Sequence, residues 1–502
     1  MSGAGPRAMS LLLASWLVVA LASPLRSQSD DLAREAEQAR QLIASGQPEK
    51  AVPIYQRLIG AVPNNPGLLT NLGIALEMTG HDQQAIQELT AALKLDPTYL
   101  SARLFLGLAD FDAGELQEAI DNLQKVAAAQ PANELARWKL GEAYSSLGNH
   151  ARAEEEYQAL CALNPRSTKG WYGLGHAYLS LSTSTVEKLR RSAPDSGYTL
   201  ALSADVYSRQ QQFPAAVQLY REAIQKLPRL PGLHAAIAEA YRAAGHADWA
   251  AVEEKREPPA DPSVCQTQPL ACDFELARYD QLLEAAARQP SAESYYWSSK
   301  AYERLAIAAF DHLRDLPPGI EFHELMAETD LAQGEFQQCV KDWQEALKLA
   351  PNNPQIKKNL AIAYRRTGDQ QAAQELLEKL VARQPGDGEA NYLLGETLLS
   401  LHQPSQAIPF LERSVHRDPG LLAAQISLAK AYLGANRPQE AIPHLKAALS
   451  TDKDGALHFE LARAYEREGQ TKLAEEMIQR SKEIRAGMEV PVLSNQLQPP
   501  QP

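Results

Sequence analysis

A period of 34 residues constrains this chain more than any other feature. Leu72-Gly73, Leu106-Gly107, Leu140-Gly141 and Leu174-Gly175 stand 34 apart, and Gly80, Gly114 and Gly148 keep the same step. So do Ala51, Ala85, Ala119 and Ala153, and so do Tyr55, Leu89, Leu123 and Tyr157. Pro63, Pro97, Pro131 and Pro165 close successive units. Several columns that share one phase define a repeated supersecondary element. One such element cannot bury its apolar face alone, so neighbours must stack.

Each column has a physical reason. Leu-Gly and a later Tyr or Leu lie on one apolar face of a first helix. A Gly or Asn permits the turn between helices. Ala occupies the point where the second helix approaches closely, and Pro then stops that helix because it lacks an N–H. A second array repeats the scheme with Met326-Ala327, Leu360-Ala361, Leu394-Gly395 and Leu428-Ala429. Its close-approach column is Cys339, Ala373, Ala407 and Ala441, and its terminators are Pro351, Pro385 and Pro419.

These columns, with Trp171-Tyr-Gly-Leu174-Gly175-His-Ala-Tyr178, closely resemble the tetratricopeptide repeat over most of residues 32–484. The resemblance implies an all-α, right-handed superhelical solenoid of about 12–14 helix hairpins. It also implies a protein-interaction role like that of exported bacterial tetratricopeptide proteins.

The organisation expected is an N-terminal array over 32–256, a Pro-rich two-cysteine linker over 257–273, degenerate repeats over 274–319, and a C-terminal array over 320–484. The unit over 168–196 is about five residues short, as is one starting near Ala292. The two segments align with one gap, matching Ala177-Tyr178, Leu189, Pro194 and Ala204 to Ala301-Tyr302, Leu313, Pro318 and Ala327. Each short unit is expected to be a hairpin with a truncated second helix. A helix from Phe274 to Arg288 has no obvious partner, a place the two-cysteine loop can fill. Residues 485–502 are polar and Pro-rich, and are expected to be disordered.

The N-terminus has one basic residue, Arg7, an apolar run from Met9 to Ala22 and the small-residue triplet Ala20-Leu21-Ala22. That is the pattern of a secretory signal over residues 1–22, and the run is short for a membrane span. The chain is expected to be exported, periplasmic or extracellular. The alternative is a membrane-anchored assembly platform held by an uncleaved 1–22. In an oxidising compartment Cys265 and Cys272, close in sequence, invite a disulfide. Cys161 and Cys339 fall on core columns and read as buried small residues.

A net charge of −13 works against nucleic acid as a partner. Known catalytic strings fail in context. His323-Glu324 lacks the second zinc-binding His, since Ala327 stands there. Gly170 to Gly175 lies inside a repeat helix, where no phosphate loop forms. Ser427-Leu-Ala-Lys430 and Ser450-Thr-Asp-Lys453 have no supporting partners. Histidines at 81, 150, 246 and 402 fall in turns. No enzyme activity, cofactor or metal is expected. The competing reading is an envelope enzyme or carbohydrate-handling factor with a site in the irregular centre.

Family geometry places the binding surface on the first helices, in a concave groove. It implicates Leu104, Leu108, Phe111, Trp138, Glu142, Tyr172 and His176 as peptide contacts, since Trp and Tyr are enriched where binding energy concentrates. The corresponding C-terminal face is charged, with Glu321, Glu324, Glu328, Lys358, Arg365, Arg366, Arg463 and Arg467. A carboxylate clamp built on Lys358 and Asn359 is incomplete, because Ile362 replaces the Asn it needs. Proteins or peptides are the expected partners, and membrane only if the signal stays attached.

Overall fold

Helix follows helix throughout the computed structural model, which describes residues 30–257, 264–487 and 496–500. There is no strand among the described residues. The signal-peptide region, 1–22, lies outside them, as does part of the two-cysteine linker. Contacts divide the chain into two compact units. One runs to Leu181 and includes Leu305–Ala309, and the other holds Ser182–Arg304 and everything from Phe310 onward.

Within the first unit the hairpins are 30–44 with Pro48–Ala61, Pro66–Glu77 with Asp82–Leu95, Leu100–Asp112 with Leu116–Ala129, and Glu134–Ser146 with His150–Leu163. The second unit pairs Gly197–Arg209 with Phe213–Lys226 and Leu233–Ala243 with Ala247–Glu254. Further on it pairs Ile320–Gln333 with Phe336–Leu349, Pro354–Thr367 with Gln370–Arg383, and Gly388–Ser400 with Pro404–Arg417. Leu422–Gly434 with Pro438–Ala448 and Ala456–Arg467 with Thr471–Gly487 complete the run.

The column logic holds at atomic distance. Ala51, Ala85, Ala119, Ala153, Cys339, Ala373, Ala407 and Ala441 are all fully buried. The turn column needs a left-handed residue: Gly80, Gly114 and Gly148 have φ of 74°, 84° and 73°. His402 and Asn436 take the same conformation at φ 61° and 59°, where Asn tolerates it better than most side chains. In the Leu-Gly column of the first helices a Cβ on Gly107 would sit 2.7 Å from Leu123 Cγ, and one on Gly395 would sit 2.4 Å from Leu411 Cγ.

The short units depart from the expected truncated hairpins. Thr168–Ser192 and Ala292–Arg314 are single helices of 25 and 23 residues. The reason lies in the turn column. Its next member after Gly148 is Ser182, and the aligned position in the other helix is Ala306. Neither supplies a left-handed turn, and Ala is the best helix former, so the two helices fuse. Both are buried, and Ser182 Oγ donates to the Ser299 carbonyl at 3.1 Å.

The expected Phe274–Arg288 helix is broken in two, as Pro269–Glu275 and Tyr279–Arg288, with Ala277 left-handed at φ 54° between them. The first piece carries Cys272, disulfide-bonded to Cys265 in the short helix Val264–Thr267. The degenerate segment is therefore a small hairpin of its own. Past Gly487 the structure also differs from a wholly disordered tail. Leu497 packs on the second unit's core, and Gln498 and Pro499 accept hydrogen bonds through their carbonyls.

Candidate functional site

The first helices of the N-terminal unit carry residues at fixed steps that the hairpin core does not consume. Leu104, Trp138 and Tyr172 form one column, Leu108, Glu142 and His176 another, and Glu77 and Phe111 a third. Leu108 is only 8% exposed and serves packing. Leu104, Phe111, Trp138, Glu142, Tyr172 and His176 are half-buried, with both a fixed body and an open edge.

Lys139 organises these residues. Its ammonium lies 4.6 Å from the Phe111 ring centroid and 4.4 Å from that of Trp138, and pairs with Glu142 at 2.7 Å. Lys169 stands 3.2 Å over the other part of the row, at the Trp138 ring. A cation over an aromatic face is attracted by the ring quadrupole. Phe111, Lys139, Trp138 and Lys169 thus form one continuous row across three successive first helices. Tyr172 and His176 meet edge to face at 4.4 Å one turn further on.

Sequence reasoning named the rings and missed the lysines. The signal was available in the column of Phe105, Lys139 and Gly173, where a cation replaces apolar or small residues. It also missed the acids at the near end. Burial, reinforced by the carboxylate of Asp112 and then that of Asp82, pushes Glu77 up to about 7.

A second regularity joins hairpin to hairpin in both units. Gln124 donates to Tyr144 Oη at 2.5 Å, Gln158 to Tyr178 at 2.9 Å and Gln344 to Tyr364 at 2.9 Å, while Tyr432 donates to Glu412 at 2.6 Å. Every pair is 20 residues apart, from a second helix to the next first helix. A buried hydroxyl needs a partner, and this rung supplies it. Arg221 and Tyr241 form the same rung at 2.8 Å with a different donor.

Much of the charge on the C-terminal first helices is already paired. Lys358, with a side chain 10% exposed, reaches Glu389 at 2.5 Å and Asp387 at 3.5 Å. Arg365 pairs with Glu396 at 3.1 Å, and Glu396 in turn accepts from Ser427 at 2.5 Å. The links Lys358–Glu389, Arg365–Glu396 and Glu396–Ser427 each span 31 residues between neighbouring first helices. Arg467 donates to the Leu433 carbonyl and Arg463 pairs with Glu460 on its own helix. His323 is tied to Asp342 at 2.9 Å. Lys358 is therefore spent on repeat-to-repeat links.

In the irregular centre Asp205 accepts from Tyr220 at 2.6 Å and pairs with Lys300 at 2.5 Å, joining the hairpin Gly197–Lys226 to the long helix Ala292–Arg314. The nearby cavity, bounded by Val186, Leu189, Thr199 and Leu202, holds about 20 Å³, room for roughly one water. Burial pushes the Cys161 thiol up to about 12 and that of Cys339 to about 11, so both stay protonated. No group of three or more His, Cys, Asp or Glu residues is placed to hold a metal among the described residues. No described helix is long and apolar enough to cross a membrane.

Comparison with known proteins places these hairpins. Two tetratricopeptide-repeat models match, one over residues 42–108, 330–397, 365–431 and 398–454, the other over 104–168 and 139–183. Together they take in more than half of the chain. Among solved structures, MamA from Desulfovibrio magneticus RS-1 is 23% identical, covering 34% of this chain and 97% of its own, with a TM-score of 0.32. YrrB, described as a TPR protein with an unusual peptide-binding site, is 19% identical, covering 33% of this chain and 86% of its own, with a TM-score of 0.30. No curated protein matches the chain.

Proposed function

The chain belongs to the tetratricopeptide-repeat family, and from that premise we propose that it is a non-catalytic interaction scaffold of the cell envelope, seating a partner's extended segment in a groove along its N-terminal first helices. The observation that carries this reading is the row of Phe111, Lys139, Trp138 and Lys169. Aromatic rings held by cations are rigid and amphipathic, so a ligand gains contact area at small entropic cost. Glu77 and Asp112 add an acidic end, suited to a basic residue of the bound segment.

Two observations support export. The signal pattern of residues 1–22 directs it, and the Cys265–Cys272 disulfide belongs in an oxidising compartment. Sequencing the mature N-terminus from fractionated cells tests this, with cleavage after about residue 22 expected. A retained N-terminus in the membrane fraction would replace secretion with the anchored platform.

Binding is tested by affinity capture from native envelope extract with wild-type protein and a Trp138→Ala/Tyr172→Ala double variant. Circular dichroism should match between the two, while a subset of captured proteins disappears with the variant. Identical captured sets would remove the N-terminal groove from consideration.

A further inference from the structure

We propose that Arg221 and Tyr241 form a docking site for an extended proline-rich peptide, with the chain's own Gln496–Pro500 segment as its resident ligand. Arg221 and Tyr241 form one of the rungs between hairpins. At three other rungs a Gln amide donates to the tyrosine, and at one a Glu accepts from it, which completes the bond locally. At this rung the donor is a guanidinium, whose five N–H groups exceed what one hydroxyl can accept.

The surplus goes to one place. Arg221 Nη2 donates to the Pro499 carbonyl at 2.6 Å and more weakly to the Gln498 carbonyl at 3.4 Å. Its Nη1 lies 3.5 Å from Gln498 Oε1. Tyr241, freed to donate because Arg221 donates to it, gives its hydroxyl proton to the Gln498 carbonyl at 2.6 Å. Every one of these peptide groups is an acceptor. Pro499 and Pro500 have no N–H to offer, so a site made only of donors is the chemical complement of such a segment.

Apolar contact supplies register. Leu497 packs against the second unit's core, and Leu497 and Pro500 are the half-buried members of the segment. They stand three residues apart, one turn of a polyproline II helix, a conformation that loses little entropy on binding. Beside the segment a cleft of about 200 Å³ continues along Pro214, Val217, Gln218 and Glu222. The ligand class is thus an extended peptide with an apolar residue followed, two positions on, by prolines. A partner carrying that pattern must displace Gln496–Pro500 to bind.

The test uses a fluorescent peptide of the 495–502 sequence. It should bind a chain lacking 495–502, and bind the intact chain at least about tenfold more weakly, because the tethered copy competes at high effective concentration. Arg221→Gln in the shortened chain restores the rung used elsewhere, so folding is kept. It should nevertheless weaken the peptide about tenfold. Equal affinity for the shortened chain and its Arg221→Gln variant would overturn the proposal, as would no binding to either. In the intact chain, the carbonyl carbon-13 shifts of Gln498 and Pro499 should differ from those of the free peptide, because both oxygens accept hydrogen bonds, and Arg221→Gln should reduce the difference. Shifts equal to those of the free peptide in the wild type would also overturn it. The Trp138→Ala/Tyr172→Ala variant should leave this peptide's affinity unchanged, which separates this site from the N-terminal groove.

Discussion

The N-terminal hairpins over 66–181 and the C-terminal hairpins over 354–467 have the same packing pattern in their separate cores and differ on the face of their first helices. In both, Leu or Tyr from the second helix fills the space beneath a Gly or Ala of the first, and Ala marks the close approach. On the first-helix face the N-terminal hairpins set lysines against rings, whereas the C-terminal hairpins run a ladder of Lys358–Glu389, Arg365–Glu396 and Glu396–Ser427. The fold leaves the face positions free. Packing columns tolerate one solution, while face positions can be spent on a ligand or on holding neighbouring repeats together.

The largest effects should therefore be equal in the two regions. Leu123→Ala and Leu411→Ala remove fully buried side chains, each at about 2–5 kcal/mol. Gly107→Ala and Gly395→Ala press a methyl into those same leucines, at about 1–3 kcal/mol. Repeat arrays need not unfold in one step, so the measurement is hydrogen exchange within the altered hairpin. A loss several-fold smaller in one region would break the claim of a common packing pattern.

The core was legible in the sequence because packing repeats with the chain. Leu89, Leu123 and Tyr157 can be read as one column, and Cys339 reads as an Ala substitute because its phase demands a small residue. The face was only half legible. Trp138 and Tyr172 announce themselves, but the ladder joins residues 31 apart, where no single unit shows the pairing. The long helices were misjudged since a shortened repeat looks like a truncated helix until Ser182 and Ala306 are placed at the missing turn. Gln496–Pro500 was invisible for another reason. Its composition carries no burial signal, and its partner Arg221 lies 277 residues from Gln498.

The next effect should split the regions. Lys358→Ala leaves Glu389 and Asp387 without their cation, and about 1–2 kcal/mol of local stability should go. Lys139→Ala loses two ring contacts and a partly buried ion pair, for about 0.5–1 kcal/mol. Ligand capture should respond in the opposite order, falling with Lys139→Ala and holding with Lys358→Ala. If Lys358→Ala abolishes capture while stability is unchanged, the C-terminal ladder is a binding surface and the comparison inverts. At least as large as either is Cys272→Ser, which opens a short loop and should lower stability by about 2 kcal/mol under oxidising conditions, with no change under reductant.

The smallest effect belongs to the acidic end of the N-terminal face. Glu77 is raised from an ordinary 4.5 to about 7 by burial and by Asp112. Between those pH values the folded state holds a proton that the unfolded chain has released. Stability therefore falls as pH rises across that window and levels off above about 7. Solvent screening keeps the change below about 1 kcal/mol. Glu77→Gln should flatten it, and thermal unfolding of the wild type and variant at pH 5 and 8 reads the difference. The same proton governs the proposed ligand. A basic residue docking at Glu77 and Asp112 needs both carboxylates ionised, so its affinity should rise toward pH 8 while stability declines. Glu77→Gln should remove that rise as well. A wild-type affinity that stays flat across the window would detach the acidic pair from the groove and leave the aromatic row to carry binding alone.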